Sequence, residues 1–346
     1  MQYAHGGDIY TYKNLLDFSI NVNPLGPADA VVEAAARSLQ RIGEYPDSRS
    51  RELRNALAEK KGLAAERFVI GNGAADLLFS LVLAEKPQKA MIVIPAFSEY
   101  EQALKTVGCE ILYHEVKKEN NFRLGTDLTE KITSELDFLF LCSPSNPAGQ
   151  AVEKEFLIKI AEKCEKERVR LVLDECFVQF LTSGEEASMQ LETGRFRYLF
   201  VLQAFTKIYA VPGIRLGISS DKALLERMET VRQPWSVSTP AQAAGLSALK
   251  EDHREEQTRQ LVKSERERME KELENLRIEY IPSEANFLLF NSEINWFEEL
   301  KKRGILIRDC ANYRGLGNGW YRLAVRLPEE NDRLLECMKQ VLNERS

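Results

Sequence analysis

The sequence is organised around residues 198–217, which read YLFVLQAFTKIYAVPGIRLG. An apolar run typical of a buried strand ends there in a hydroxyl and an amine, Thr206 and Lys207, and Arg215 follows a few residues later. Burial disfavours the charged form of a lysine, so that the neutral amine can attack a carbonyl and form a Schiff base. The pattern predicts a reactive lysine at a strand end, against the more frequent case of an ordinary surface lysine.

Short apolar runs alternate with amphipathic segments through most of the chain. The runs that we expect to be strands cover residues 67–70, 90–94, 110–115, 137–142, 169–174, 198–203 and 214–219. Helices are expected before the first of these strands, at about residues 29–41 and 50–62, and between later ones, at 74–84, 97–107 and 153–167. This alternation predicts an α/β fold, with a mostly parallel sheet and helices on both faces.

The character of the sequence changes after about residue 235. A long, highly charged helix is expected over residues 251–277, and a mixture of strands and helices follows it. The strands expected there are 278–290, 305–308 and 321–325, and the helices are 239–250, 294–303 and 329–342. We therefore expect three parts: an N-terminal arm over the active site (1–30), a large α/β domain (31–234) and a small C-terminal α+β domain (235–346).

The composition is that of a soluble enzyme rather than of a nucleic-acid or membrane-surface protein. The 346 residues carry a formal net charge of −6, which argues against a strongly anionic partner. The six cysteines contain no Cys-x-x-Cys pair and the three histidines are scattered, so we expect reduced thiols and no metal site. No signal peptide and no stretch long enough to span a membrane is visible, which predicts a cytoplasmic protein.

Several predicted strands end in residues that could hold a ligand, since ligands bind at the carboxyl ends of parallel strands. A glycine turn at 71–73 precedes a helix whose first backbone N–H groups could bind a phosphate. Asn146 and Phe97 follow two other strands, where an amide could bond a ring oxygen and an aromatic side chain could stack on a ring. Asp174 ends a buried strand and needs a cationic partner, such as a protonated pyridine nitrogen. Each residue alone also has an ordinary explanation as a turn, core or ion-paired residue.

The order of these features along the chain resembles the fold-type I pyridoxal-phosphate enzymes of the class I/II aminotransferase group, from about residue 17 to residue 326. The resemblance implies pyridoxal 5′-phosphate as the cofactor, bound by the large domain, with Lys207 joined to it as a Schiff base. It implies that Asp174 faces the ring nitrogen, that Asn146 bonds the ring 3′-oxygen and that Phe97 stacks on the ring. Many relatives carry a tyrosine in place of Phe177, so the ring oxygen here depends more on Asn146.

The same resemblance also implies which residues bind the phosphate group of the cofactor. It implies that Thr206 and Arg215 bind the phosphate together with the backbone of Ala74 and Ala75. Tyr45, in a Tyr-Pro-Asp turn, resembles the tyrosine that reaches the phosphate from a neighbouring subunit, which implies a homodimer.

The substrate residues implied by the resemblance come from the two ends of the chain. Arg322 resembles the arginine that binds the substrate α-carboxylate with its two-pronged guanidinium, and Arg326 is a second candidate. We further hypothesise that the arm folds over the site and that His5 and Asn23 contact the substrate. A solvated tail histidine is the alternative for His5.

Two subfamilies share the most motifs with this chain. The segments HGG (5–7), IRDCANYRGL (307–316) and RLAVR (322–326) resemble the threonine-phosphate decarboxylases of cobalamin biosynthesis. That resemblance implies decarboxylation of a phosphorylated amino acid, L-threonine O-3-phosphate, to (R)-1-aminopropan-2-yl phosphate. The alternatives are an aminotransferase, such as a histidinol-phosphate aminotransferase, and a protein that binds pyridoxal phosphate without catalysis.

Overall fold

The computed structural model describes residues 5–211 and 215–345, except for the side chains of Ala74, Arg215 and Leu216. The α-helices are α1 (Asp29–Ser38), α2 (Arg51–Lys61), α3 (Gly73–Glu85), α4 (Ser98–Lys105), α5 (Leu128–Lys131), α6 (Lys154–Glu167), α7 (Phe205–Ile208), α8 (Lys222–Val231), α9 (Thr239–Ala248), α10 (Asp252–Asn275), α11 (Trp296–Lys302) and α12 (Pro328–Asn343). The strands are β1 (Leu16–Asp17), β2 (Phe68–Gly71), β3 (Lys89–Ile94), β4 (Glu110–Glu115), β5 (Phe138–Cys142), β6 (Arg170–Asp174), β7 (Leu199–Ala204), β8 (Arg215–Ile218), β9 (Glu279–Ile281), β10 (Phe287–Asn291), β11 (Ile305–Leu306), β12 (Arg308–Asp309) and β13 (Trp320–Ala324).

The described residues form a seven-stranded sheet in the order β2-β8-β7-β6-β5-β3-β4. β8 is antiparallel to both of its neighbours, β2 and β7, and all other neighbouring strands of this sheet are parallel. The predicted mostly parallel α/β fold is therefore confirmed. The central strands β5, β6 and β7 are buried along their whole length. Their unbroken apolar sequences follow from this, because a strand covered on both faces has no solvent side to carry polar residues.

A second, antiparallel sheet of four strands lies in the C-terminal part, in the order β12-β13-β10-β9. The predicted strand 278–290 is interrupted, because residues 282–286 leave the sheet and Glu284 donates its backbone N–H to Gly149 O at 2.9 Å. The predicted strand 305–308 divides at Ile307: β11 pairs with β1 in the arm, and β12 pairs with β13. The arm is therefore attached to the C-terminal part through a separate two-stranded sheet, β1–β11.

Two main hydrophobic cores divide the chain at a place that the sequence pattern did not indicate. The core around the large sheet includes Ala244 of α9 and Val262 of α10. The core of the small sheet begins farther along α10, with Met269 and Leu273, and includes Phe18 of the arm. The large core therefore takes in residues beyond the expected limit at residue 234, namely the first part of α10 and, after that helix, Ala285 and Phe287. The domain bounds stay a prediction.

No helix in the described part of the chain is both long enough and apolar enough to cross a membrane. The described cysteines are all free thiols.

Glu175, which follows β6, connects β6 to β7 through a buried polar cluster. Its carboxylate accepts hydrogen bonds from Met189 N at 2.7 Å, Ser188 Oγ at 2.5 Å and Gln203 Nε2 at 3.1 Å. Burial nevertheless outweighs these donors and raises the pKa of Glu175 to about 7. A carboxyl group whose pKa is raised on folding favours the folded state at low pH and loses that contribution as pH rises through the folded value.

We expect Glu175→Gln to change the pH dependence of stability. As the pH rises from the ordinary glutamate pKa to the folded value of about 7, the unfolding free energy of the wild type should fall by up to about 3 kcal/mol relative to that of the variant. Urea unfolding of both proteins at acidic and mildly alkaline pH measures this difference, with Glu119→Gln on the surface as a control. A difference that does not change with pH would contradict it.

Candidate active site

A cavity of about 300 Å³ opens at the carboxyl ends of the central strands of the large sheet. We call it the central cavity. Its walls come from the arm (residues 5–6 and 19–21), from the loops after β3, β5, β6 and β7, and from strands β12 and β13 of the small sheet. It therefore lies between the two sheets, with the predicted lysine and aspartate on one side.

Asp174 ends β6 on the floor of the cavity and is 5% exposed. Its Oδ1 accepts the backbone N–H of Cys176 at 2.9 Å, and its Oδ2 accepts the hydroxyl of Tyr100 at 2.5 Å. Burial and the neighbouring carboxylate hold the pKa of Tyr100 well above its usual value, so the phenol keeps its proton and acts as the donor. The protein thus supplies one donor to each oxygen of a carboxylate that faces the cavity.

Lys207 lies in the short helix α7, which follows β7 directly, and lines the same cavity. Its Nζ is 5.5 Å from the centre of the Phe177 ring. Its carbonyl oxygen accepts the backbone N–H of Asn23 at 2.9 Å, which holds α7 against the arm. Thr206 lies in the same helix and is half-buried, but it is not part of the cavity wall.

Asn146 and Arg322 meet on the opposite wall. Arg322 Nη1 donates to Asn146 Oδ1, and Arg322 Nη2 donates to Ser19 O at 3.0 Å. The guanidinium also lies 5.3 Å from the ring centre of Phe287, which restricts its orientation. Arg322 Nε is buried and has no hydrogen-bond partner among the described residues. The arginine is thus held in place while its hydrogen-bonding capacity is only partly used.

Arg308 is a cavity residue that sequence reasoning did not single out. It is the cross-strand partner of Arg322 in the β12–β13 register, and both side chains reach the central cavity. Arg308 Nη2 donates to Asn312 Oδ1 at 2.8 Å, and its guanidinium lies 5.5 Å from the Tyr313 ring centre. The sequence did contain a sign of this site, because Arg308, Asn312 and Tyr313 all fall in the segment 307–316 quoted above. Two arginines therefore share one wall of the cavity.

The predicted phosphate residues lie at the same edge of the large sheet. Gly71 and Ala204, the last residues of β2 and β7, are both register partners of Arg215, the first residue of β8. The first turn of α3 contains Ala74 and Ala75 and begins directly after this edge. The side chain of Arg215 lies outside the described part of the structure, so its predicted contact with a phosphate stays a prediction.

Aromatic residues and buried thiols complete the cavity on the side of β3 and β5. Phe97 precedes α4 and lines the cavity, with its ring centre 5.9 Å from that of Tyr100. Cys142 and Cys176 line it as well. Burial raises the pKa of the Cys142 thiol well above its usual value, so it is a neutral group at this wall.

The arm reaches the cavity through His5 and Asn21. His5 Nε2 lies 3.2 Å from Glu99 Oε1, and Glu99 is a buried carboxyl whose pKa is raised by burial. Asn21 lines the cavity, and its Oδ1 is buried without a partner among the described residues. Asn23, which we expected at the cavity, is not there: its amide donates to Ile208 O at 2.7 Å and to Thr258 Oγ1 at 2.8 Å. Side chains two residues apart in extended backbone point the same way, but the chain bends at Val22 and breaks that alternation.

Two other predicted residues lie away from the central cavity. Arg326 forms a two-bond ion pair with Glu330 and donates to Asp17 O at 2.9 Å, so it fastens the arm to α12 instead of facing a substrate. Tyr45 is exposed and stacks on Trp235 at a centre-to-centre distance of 4.6 Å. Within one chain, neither residue reaches the cavity.

The side chains gathered around the cavity fit pyridoxal phosphate. An amine, a buried carboxylate with both oxygens hydrogen-bonded and an amide face one space, and an aromatic ring lies beside them. These groups are complementary to an aldehyde, a protonated ring nitrogen and a ring oxygen. In the described residues, no three His, Cys, Asp or Glu side chains are grouped so as to hold a metal ion.

Comparisons with known proteins agree with this geometry. A family model described as aminotransferase class I and II matches residues 13–337. The threonine-phosphate decarboxylase of Salmonella typhimurium is 37% identical over 353 residues, covering 98% of this chain and 96% of that protein. The crystal structure of the histidinol-phosphate aminotransferase from Clostridium acetobutylicum superposes with a TM-score of 0.89 at 26% identity, covering 95% of this chain and 100% of that one.

A third similar protein was solved with a ligand. The histidinol-phosphate aminotransferase of Sinorhizobium meliloti, in complex with pyridoxal-5′-phosphate, superposes with a TM-score of 0.83 at 19% identity, covering 94% of this chain and 90% of that one. At that identity the likeness is one of fold.

Asn21 and Asn23 should respond differently to truncation. Asn23→Ala removes two buried hydrogen bonds and is expected to lower the unfolding free energy by about 1–3 kcal/mol. Asn21→Ala removes an amide whose oxygen has no described partner, so the change in stability should stay below about 0.5 kcal/mol. Urea unfolding of the two variants beside the wild type makes the comparison, and equal losses would contradict the structural role of Asn23.

Proposed function

The chain belongs to the class I and II aminotransferase family, and on that basis we propose that it is a pyridoxal-phosphate-dependent decarboxylase. Its substrate is L-threonine O-3-phosphate, and its products are CO₂ and (R)-1-aminopropan-2-yl phosphate. The observation that carries the choice of substrate is the pair of arginines, Arg308 and Arg322, on one wall of the cavity. A cavity with two cations suits a substrate that carries a carboxylate and a phosphate at once.

Pyridoxal phosphate would be held by residues from both walls. Lys207 joins its aldehyde, Asp174 faces its ring nitrogen, Asn146 bonds its ring oxygen and Phe97 lies against the ring. Thr206, Arg215 and the backbone of Ala74 and Ala75 hold its phosphate at the edge formed by β2, β8 and β7. When bound, the cofactor supplies a ring that accepts the electron pair left when a bond at the substrate α-carbon breaks.

The two arginines are assigned to different groups of the substrate. Arg322 is held by Asn146 and Ser19, and we assign it the α-carboxylate. Arg308 lines the same cavity together with His5 and Asn21 of the arm, and we assign the phosphate to these three residues. A carboxylate held by a fixed guanidinium keeps one orientation relative to the cofactor ring, which selects the bond that breaks. Lys207 Nζ faces the same space and can hand a proton to the α-carbon after CO₂ has left.

A cytoplasmic location belongs to the same proposal. The described cysteines are all unpaired, which is typical of a reducing compartment.

The activity itself is tested by separating two reactions. We expect CO₂ release from L-threonine O-3-phosphate without any oxo-acid acceptor, and no consumption of 2-oxoglutarate with histidinol phosphate. Arg308→Gln should lower kcat/KM for the phosphorylated substrate by a factor of about 30 or more, because the loss of a hydrogen bond to a charged group costs about 2 kcal/mol. It should affect L-threonine much less, whereas Arg322→Gln should affect both.

Arg314→Gln is the matched control, since that arginine pairs with Glu101 outside the central cavity. Turnover that depends on an oxo-acid acceptor would instead make the protein an aminotransferase. Equal effects of Arg308→Gln on the phosphorylated and unphosphorylated amino acids would remove its assignment to the phosphate.

We also propose that the active unit is a homodimer in which Tyr45 serves the partner's site. Tyr45 and Trp235 stack on the surface beside Leu39 and Ile42, and all four are large, exposed apolar residues. Contiguous exposed apolar side chains of this kind mark interaction surfaces. The pair lies outside the central cavity of its own chain, and we assign the Tyr45 hydroxyl to the cofactor phosphate of the partner subunit.

Mixed dimers test this assignment. Tyr45→Phe subunits keep Lys207, and Lys207→Ala subunits keep Tyr45, so a mixed dimer contains one site with both residues intact if Tyr45 crosses the interface. Random mixing of a weakened and an inactive variant should then restore about a quarter of the wild-type sites. Activity that does not rise on mixing would place Tyr45 in its own subunit's site or in none.

A further inference from the structure

We propose that Tyr100 is a positioning residue for the reaction, which keeps the proton of the ring nitrogen on the ring by donating a hydrogen bond to Oδ2 of Asp174. The proposal rests on the proposed function in one respect, namely that pyridoxal phosphate binds opposite Asp174. Tyr100 does not touch the reacting atoms and acts only through the carboxylate.

The contact joins two buried groups. Tyr100 is 1% exposed and Asp174 is 5% exposed, and the Tyr100 hydroxyl lies 2.5 Å from Asp174 Oδ2. The phenol ring is held on both sides: it stacks on Phe140 at 5.3 Å and meets the edge of Phe97 at 5.9 Å. A side chain so confined can direct its hydroxyl to only one place.

The direction of the hydrogen bond follows from the surroundings. A buried phenol beside a carboxylate keeps its proton, because ionisation would place two negative charges together in a dry site. Tyr100 is therefore the donor in this contact, and Asp174 Oδ2 is the acceptor. A donor stabilises the charged form of a carboxylate and makes it a weaker base.

A weaker base leaves the proton with its partner. Asp174 Oδ1 also accepts the Cys176 N–H at 2.9 Å, so both oxygens are stabilised as an anion. With Tyr100 in place, the proton between the carboxylate and a ring nitrogen stays on the nitrogen, which preserves the ring's capacity to accept electrons. Without the hydroxyl, Asp174 becomes more basic and the proton shifts toward it.

The titratable and charged groups that line the cavity with Asp174 and Tyr100 are Cys142 of β5, Cys176 after β6, Lys207 of α7, Glu99 of α4, His5 of the arm, Tyr313, and Arg308 and Arg322 of the small sheet. Cys142 is held neutral by burial. Protonation of the Lys207 nitrogen, once it is joined to the cofactor aldehyde, would report whether the ring nitrogen carries a proton. A positive charge on the ring disfavours a second positive charge nearby. This gives the proposal a readout that does not depend on turnover.

The experiment compares holoenzymes of Tyr100→Phe, the wild type and Tyr280→Phe. Tyr280→Phe is a matched control, since its hydroxyl also binds a carboxylate, that of Glu274 at 2.7 Å, outside the central cavity. The visible absorbance of the cofactor joined to Lys207 is followed as a function of pH. In Tyr100→Phe the midpoint of this change should rise by about one pH unit, which is the equivalent of one hydrogen bond to a charged group. 3-Fluorotyrosine at position 100, a stronger donor, should move the midpoint the other way, and Tyr280→Phe should match the wild type.

A pyridoxal-phosphate analogue with carbon in place of the ring nitrogen completes the test. With no ring nitrogen to hold a proton, the difference between Tyr100 and Phe should disappear. Equal midpoints for wild type and Tyr100→Phe with the natural cofactor, or a shift that persists with the analogue, would overturn the proposal and leave Tyr100 a packing residue. A wild type that binds no pyridoxal phosphate would instead refute the proposed function itself.

Discussion

The central cavity depends on keeping one negative charge inside the protein. Asp174 is nearly inaccessible at the end of a strand that is buried along its length, and an isolated carboxylate in such a place would be very unfavourable. The chain meets that cost with two donors, one from the backbone after β6 and one from α4. The neighbouring strands then carry an amide and an amine to the same level. The chemistry of the site follows from this charge, because it specifies a cationic partner.

The opposite wall complements the first with positive charge. Arg308 and Arg322 are neighbours across two antiparallel strands, and both are buried, each with its guanidinium beside an aromatic ring. Like charges placed side by side repel each other, so the wall favours ligands that bring two anionic groups. The anion on the floor of the cavity and the two cations on its wall therefore restrict the charges of the ligands that can bind, independently of their shape.

The fold could be predicted from the sequence because its signals are local. Continuous apolar runs such as those of β5 and β7 identify buried parallel strands without knowledge of their neighbours, and residues at the strand ends then share one edge. The residues that were missed depend on non-local geometry. Tyr100 resembles any core aromatic residue until its hydroxyl is seen beside Asp174, and Arg308 is one arginine among many until the register pairs it with Arg322. Asn21 and Asn23 are indistinguishable in sequence, since only the bend at Val22 between them decides which side chain faces the cavity.

The arm is anchored to both halves of the molecule. Leu16 and Asp17 pair with β11 of the small part, whereas Asn23 bonds to the backbone of Lys207 and Ile208 in the large part. Ser19, Ile20 and Asn21, which line the cavity, lie in the short span between them. Any hinge movement of one half against the other must therefore stretch or slacken this span. The position of residues 19–21 at the cavity is therefore set by both halves together.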